Sequence, residues 1–276
     1  MRLRRDGCTV LGDSVLAAEL TREIATIDLL ERHLGFKTHV RRLSTAGFAI
    51  AVCVAQLFGQ SRGEALNGAL LTSGVDTLAV TVEQPGRVVP VAVAVQSLKR
   101  VKRANVDAWE QVYRWYGNNG DSTADTLWYA VSNLRPIENR RHNSVHDAVT
   151  VFGPSSAHTV LIPRSGGRQV SDTAISAPLY ASGEFESIVR ASPLRPGYKA
   201  QYNLYYGGGT RSVRPGPFEV VRTETIKTRG GQDIECWVVD AKLSEGLNTF
   251  WIDKKTRKLV KLENHEDPTA AFVFRR

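Results

Sequence analysis

The residues of this chain that could do chemistry are few, and their spacing suits little of it. His142 and His146 stand four positions apart beside Asp147, with His158 further along. That spacing can place two imidazoles on one face of a helix or strand. A metal site also needs a third and a fourth ligand, and Asp147 and His158 are the only near candidates. A histidine pair in a basic loop is the simpler reading. Ser155 and Ser156 follow Gly153-Pro154 without the surroundings of a nucleophile elbow. Gly207-Gly-Gly209 lacks the strand-to-helix context of a phosphate loop and reads as a hairpin tip. Cys8, Cys53 and Cys236 are far apart with no Cys-x-x-Cys spacing, which argues against a zinc ribbon or a disulfide scaffold. Cys236 lies in an alternating apolar run and reads as a small core residue. No metal, cofactor or catalytic group is expected, and the chain is read as a non-enzymatic binding protein.

The feature that can carry function is aromatic. Trp109, Tyr113 and Trp115 share one face of an alternating run, and Tyr198, Tyr202 and Tyr206 share one face of another. Two readings stay open. These rings fill the core between a sheet and a helix, or part of the face remains open as a cavity. Aromatic walls with a few polar groups suit an acyl chain or another apolar or amphiphilic ligand. All six are candidate cavity-lining residues.

Composition places these residues in an ordinary folded chain. Of 276 residues, 42% are hydrophobic and 23% charged, which weighs against global disorder. The net charge of +8 and a pI near 9.5 favour anionic partners. The excess is dispersed over Arg2 to Arg5, Lys99 to Arg103 and Arg140-Arg141, so a solvated basic surface able to touch a membrane is expected. A dedicated nucleic-acid site is not expected.

Three segments must position the aromatic stripe. Residues 1–39 carry Leu16, Leu20, Ile24, Ile27 and Leu34 at helical spacing behind Asp13, which predicts an amphipathic helix over about 14–34. Residues 40–65 resemble a secretory signal: Arg41-Arg42, an apolar run from Ala46 to Phe58, and small residues at Gly63 and Ala65. The apolar run is shorter than the roughly 20 residues of a membrane span. Export to the periplasm is therefore expected, with a translation start placed too far upstream. The alternatives are an extension associated with the inner membrane and a buried helix of a cytoplasmic protein. Cys53 follows Val52 and makes a poor lipoprotein cysteine.

Residues 66–276 read as one domain of nine to eleven antiparallel strands and a helix at 184–191. The run from Asn248 to Glu263 reads as two strands around the turn Asp253-Lys-Lys-Thr256. Its phrase echoes Leu127-Trp-Tyr-Ala-Val-Ser-Asn-Leu-Arg-Pro136, with Thr or Asn five positions after each Trp. Arg214-Pro-Gly-Pro217 reads as a break closing the strand at 198–206.

Four motifs together resemble a family of exported bacterial domains of unknown function. They are Trp128-Tyr-Ala with Leu134-Arg-Pro136, Pro193-Leu-Arg-Pro-Gly-Tyr198, Glu235-Cys-Trp-Val-Val239, and Thr249-Phe-Trp-Ile-Asp253 with Thr256. That family is similar to periplasmic lipoprotein carriers and receptors of the LolA/LolB type. The resemblance covers roughly Asp76 to Glu263. It implies a mainly β fold, a strongly curved antiparallel sheet forming an open half-barrel around a short helix plug. The chain has fewer plug helices than those carriers. The concave face implied is apolar, and a monomer that binds a lipid or acyl chain there is expected. A fully packed envelope scaffold, and a small enzyme acting on an apolar metabolite through His142, His146 and His158, are the rival expectations.

Overall fold

Alternating apolar and polar residues punctuated by Gly, Pro and Asn make strands of almost everything from residue 74 onward. The structure, a computed structural model, describes residues 65–276 apart from 176–177, 208–210, 229, 244–245 and 268. The helix expected at 14–34, the signal-like segment as far as residue 64, Cys8 and Cys53 lie outside the described residues. The first eight strands are β1 (Gly74–Gln84), β2 (Arg87–Arg103), β3 (Val106–Gly117), β4 (Ser122–Ala130), β5 (Pro136–His142), β6 (His146–Phe152), β7 (Ser156–Pro163) and β8 (Gln169–Ala174). A short strand β9 (Leu179–Ala181) leads into α1 (Phe185–Ala191), the one α-helix among the described residues. Then come β10 (Lys199–Tyr206), β11 (Ser212–Lys227), β12 (Asp233–Leu243), β13 (Gly246–Asp253), β14 (Leu259–Asp267) and β15 (Ala270–Arg275).

All fifteen strands form a single sheet in the order β8-β7-β6-β5-β4-β3-β2-β1-β15-β14-β13-β12-β11-β10-β9. It is two meanders laid end to end, joined where β1 pairs antiparallel with β15. β9 pairs parallel with β10, and every other pairing is antiparallel. Hydrogen bonding does not close the sheet, so β8 and β9 are its edges. Side chains nevertheless bring the ends together. Tyr205 of β10 packs edge-on against Phe152 of β6 at 5.8 Å, and its hydroxyl lies 2.9 Å from Thr159 of β7. Tyr205 faces away from Leu204, so β6 and β7 cover the side of β10 that is turned from the helix.

The inner face of the sheet carries the core. Leu78, Val80, Ala94, Leu98, Trp109, Leu127 and Tyr129 come from the first meander, and Leu204, Phe218, Val239, Phe250 and Ile252 from the second. α1 lies among them. Seven residues make too little helix to stand alone in water, so packing holds it. Phe185, Ile188, Val189 and Ala191 are all buried, and Pro193 follows its end. The Phe185 ring meets Phe218 and Phe250, each at 5.9 Å.

Two tryptophan hairpins share the same turn hydrogen bonds at corresponding positions. In the β4–β5 hairpin, Ala130 N donates to Arg135 O and Leu134 N to Ala130 O; in β13–β14, Asp253 N donates to Lys258 O and Arg257 N to Asp253 O. Leu134 and Arg257 both adopt positive φ, 54° and 59°. Each hairpin has a β-bulge just after its Trp. Both Trp rings lie on the outer face beneath cations, Arg103 and Arg140 over Trp128 and Lys261 over Trp251.

The sequence undercounts the strands. β5 is too polar and β8 too exposed to show an apolar face, β9 is only three residues long, and β15 follows a hairpin that looked terminal. The proline run at 214–217 also lies inside β11 and is no break. β12 begins to pair with β11 only at Phe218, so Pro215 and Pro217 occupy a stretch with one free side, where a missing N–H is tolerated.

Candidate functional site

Strand alternation puts the six aromatic residues on the inner face, and burial divides them into two sets. Trp109, Tyr198 and Tyr202 are buried to 1%, 5% and 8% exposure. Trp109 Nε1 donates to Gly68 O at 3.0 Å. Tyr202 meets Tyr180 edge-on at 5.4 Å and stacks on Phe218 at 6.2 Å, while Tyr198 meets Phe218 at 5.9 Å. These three rings are part of the packed core.

Tyr113, Trp115 and Tyr206 lie further along the same strands and remain half-buried. Trp115 approaches Phe274 of β15 at 6.0 Å, and Arg214 sits 5.7 Å from the Tyr206 ring. Leu243 and Leu262 are half-buried against the same core. The result is a part-exposed apolar inner surface contributed by strands of both meanders. Phe274 and Leu262 were missed in the sequence because β15 was missed and Leu262 was read only as part of a hairpin.

Polar groups border this surface on the β4–β6 side. Tyr113 lies opposite Asp125, and Asp125 lies opposite Arg141. Arg141 donates to both Asp125 oxygens at 2.8 and 2.6 Å, a two-point ion pair. Burial raises the Tyr113 phenol above its ordinary range, helped by the negative charges of Glu186 and Asp125. It stays a neutral donor at physiological pH. Burial lowers the His146 imidazole, and the nearby Arg141 charge acts in the same direction.

A second polar group lies deeper. Gln111 Nε2 donates to Gly183 O, and the Tyr129 hydroxyl donates to Gln111 Oε1 at 2.9 Å, with Ser187 bonded to both. This network ties α1 to β3 and β4. Beside it Glu184 is fully buried; its Oε1 accepts from Ala181 N and its Oε2 has no partner among the described residues. Burial pushes this carboxyl well above the ordinary range, which favours its uncharged form.

The histidines do not converge. His142 lies 2.5 Å from Asp147, which Arg164 also holds through two hydrogen bonds, on the outer face of β5 and β6. His146 faces inward, and His158 pairs with Asp172 on the outside of β7 and β8. Among the described residues no group of three or more His, Cys, Asp or Glu is placed to hold a metal ion. Cys236 is buried and unpaired, and burial first, with nearby acids second, pushes its thiol up to about 12. At neutral pH it is an unreactive thiol.

Comparison with known families places this arrangement. Residues 77–266 match the family described as "Protein of unknown function (DUF3108)", and the chain belongs to that family. Comparison with curated proteins finds no match.

Proposed function

We propose that this member of a family of unknown function is an exported, non-enzymatic protein of the bacterial cell envelope. Its sheet is a strongly curved half-barrel of the LolA/LolB type, and it holds an apolar or amphiphilic ligand, such as a lipid acyl chain, on the inner face. The carrying observation is the half-buried set Tyr113, Trp115 and Tyr206, which with Leu243, Leu262 and Phe274 extends the core into a part-exposed apolar surface. Apolar rings left part-exposed beside a few polar groups are what a greasy ligand needs. Trp109, Tyr198 and Tyr202 form the packed base on which that surface stands. The Asp125–Arg141 pair and the Tyr113 hydroxyl at its border supply a polar end for an amphiphile.

The test is direct. Full-length protein purified from its host is extracted for co-purifying lipid and titrated with a hydrophobic fluorescent dye. Saturable binding is expected, and Trp115→Ala should weaken it about tenfold, a loss near 1.4 kcal/mol. Absence of both lipid and dye binding would remove this reading. The rival, a fully packed scaffold, draws on the burial of Trp109, Tyr198 and Tyr202. It requires that the dye find no site.

A further inference from the structure

The outer face of the sheet carries a second, smaller core, and beside it lies a basic groove. Cys236, Val238, Trp251 and Val260 are buried there, with Ile226 and Ile234 packed against them. A groove of about 330 Å³ opens next to this cluster. Its walls are Lys227, Lys261, Arg275 and Arg276, and Ile226 and Val260 supply its apolar part.

The β-bulge of the second tryptophan hairpin builds this groove. Trp251 pairs with Lys261 and Ile252 with Leu259, so Val260 is the extra residue. Val260 and Lys261 therefore both turn to the outer side, and both contact Trp251. Lys261 Nζ sits 4.3 Å from the centre of that ring. Arg276 N donates to Val260 O and fixes the neighbouring strand end.

The first tryptophan hairpin shows what differs. The position equivalent to Lys261 is Glu138, which pairs with Arg103 and Arg140 over Trp128. Trp128 Nε1 donates to Glu110. There a carboxylate stands between the cations and the indole N–H is satisfied. At Trp251 a cation stands in place of the acid, and the buried Nε1 has no acceptor among the described residues.

The groove cations are steadied from behind. Lys261 pairs with Glu263, Arg275 with Glu83 and Arg276 with Asp76, but none of these acids lines the groove. Asp76 also serves Lys258, so one carboxylate meets two cations. Lys227 has no ion pair among the described residues. The wall is thus a set of oriented cations facing a space with an apolar side, and an anion is what such a space attracts.

We propose that this groove binds a phosphate ester through Lys227, Lys261, Arg275 and Arg276, with the carbon part of the ester against Ile226 and Val260. The site lies on the opposite side of the sheet from the apolar inner surface and does not depend on it. Two sources present this chemistry, the headgroup of an anionic phospholipid and a soluble phosphate ester.

Full-length protein is titrated calorimetrically with glycerol 3-phosphate and sedimented with vesicles of phosphatidylcholine, with and without phosphatidylglycerol. The Lys227→Gln/Arg275→Gln pair is compared with Lys102→Gln/Lys199→Gln, which removes two exposed cations elsewhere on the surface. Near a lipid surface each cation contributes about fivefold in affinity, so the groove pair should lose roughly 25-fold and the control pair about twofold or less. Binding of the soluble ester lost in the groove pair supports a metabolite; binding only of phosphatidylglycerol vesicles, lost in the same pair, supports a lipid headgroup. If neither probe binds, or the control pair loses as much as the groove pair, the proposal is overturned. Should the double variant melt lower than wild type, Lys227→Gln alone carries the comparison, since that side chain is exposed. Dye binding on the inner face is expected to be unchanged in all these variants, which separates this outcome from that of the inner-face reading.

Discussion

Burying a carboxyl group between helix and sheet disfavours its charge, and at Glu184 burial raises the pKa well above the ordinary range. In the unfolded chain it ionises near pH 4.3, whereas the folded protein keeps the proton to higher pH. The folded state therefore binds more protons above that value, and this residue's contribution to stability falls as pH rises. Glu184→Gln keeps an oxygen for Ala181 N and removes the titration. The variant should gain stability over wild type on going from pH 4 to pH 8. Urea melts at both pH values measure this, and an equal difference at the two would refute it. Glu138 behaves in the opposite way. Burial opposes its ionisation, but hydrogen bonds from Arg103 and Arg140 hold its carboxyl below the ordinary range, so what it contributes is lost on acidification. The sequence showed which face each aromatic residue takes, because alternation decides that. It did not show which rings are fully buried, because that depends on what packs on each part of the strand from elsewhere in the chain.

At the scale of elements, the two tryptophan hairpins set a steric preference against a packing preference. Leu134 and Arg257 both occupy the left-handed region, where glycine is favoured by about 1 kcal/mol. Leu134 is fully buried, and losing a leucine side chain from a core costs about 3 kcal/mol. Leu134→Gly should therefore destabilise by roughly 2 kcal/mol. A midpoint in urea unchanged or higher than wild type would show that strain outweighs packing. Arg257 has a different reason to stay. Its guanidinium donates to Ser192 O at 2.8 Å and its own carbonyl accepts from Arg190 at 2.7 Å, which ties the hairpin to the end of α1. The hairpins were readable in the sequence because Trp, Asn133 or Thr256, and the turn residues recur in order. β5 and β8 were not. Their inner-facing residues include Asn139, Arg141 and Ser171, so they carry no apolar period to read.

At the scale of the molecule, the two ends of the sheet meet without a ladder of hydrogen bonds. Thr150, Thr159 and Tyr205 form a buried hydroxyl chain across that seam, each step 2.9 Å. Tyr205→Phe keeps the ring against Phe152 and removes one link, which should cost about 1 kcal/mol. The loss should show as faster hydrogen exchange in β6, β7 and β10, with β1 and β15 unaffected; uniform acceleration would argue against a local seam. No local pattern in the sequence announces this meeting, since Tyr205 looks there like one more outward residue of an alternating strand.

The join between β1 and β15 also sets an order of assembly. A nascent chain completes the first meander while β1 still has one unpaired edge, and the second meander grows from the helix side toward it. The six residues of β15 are the last of the sheet to leave the ribosome, yet they pair with its first strand, Val80 against Phe274 and Ala79 against Arg275. Until they arrive, each half carries a bare strand edge capable of pairing with another chain. Pairing at the centre of the sheet thus waits for β15, and the interval before it is when these edges are most open to aggregation.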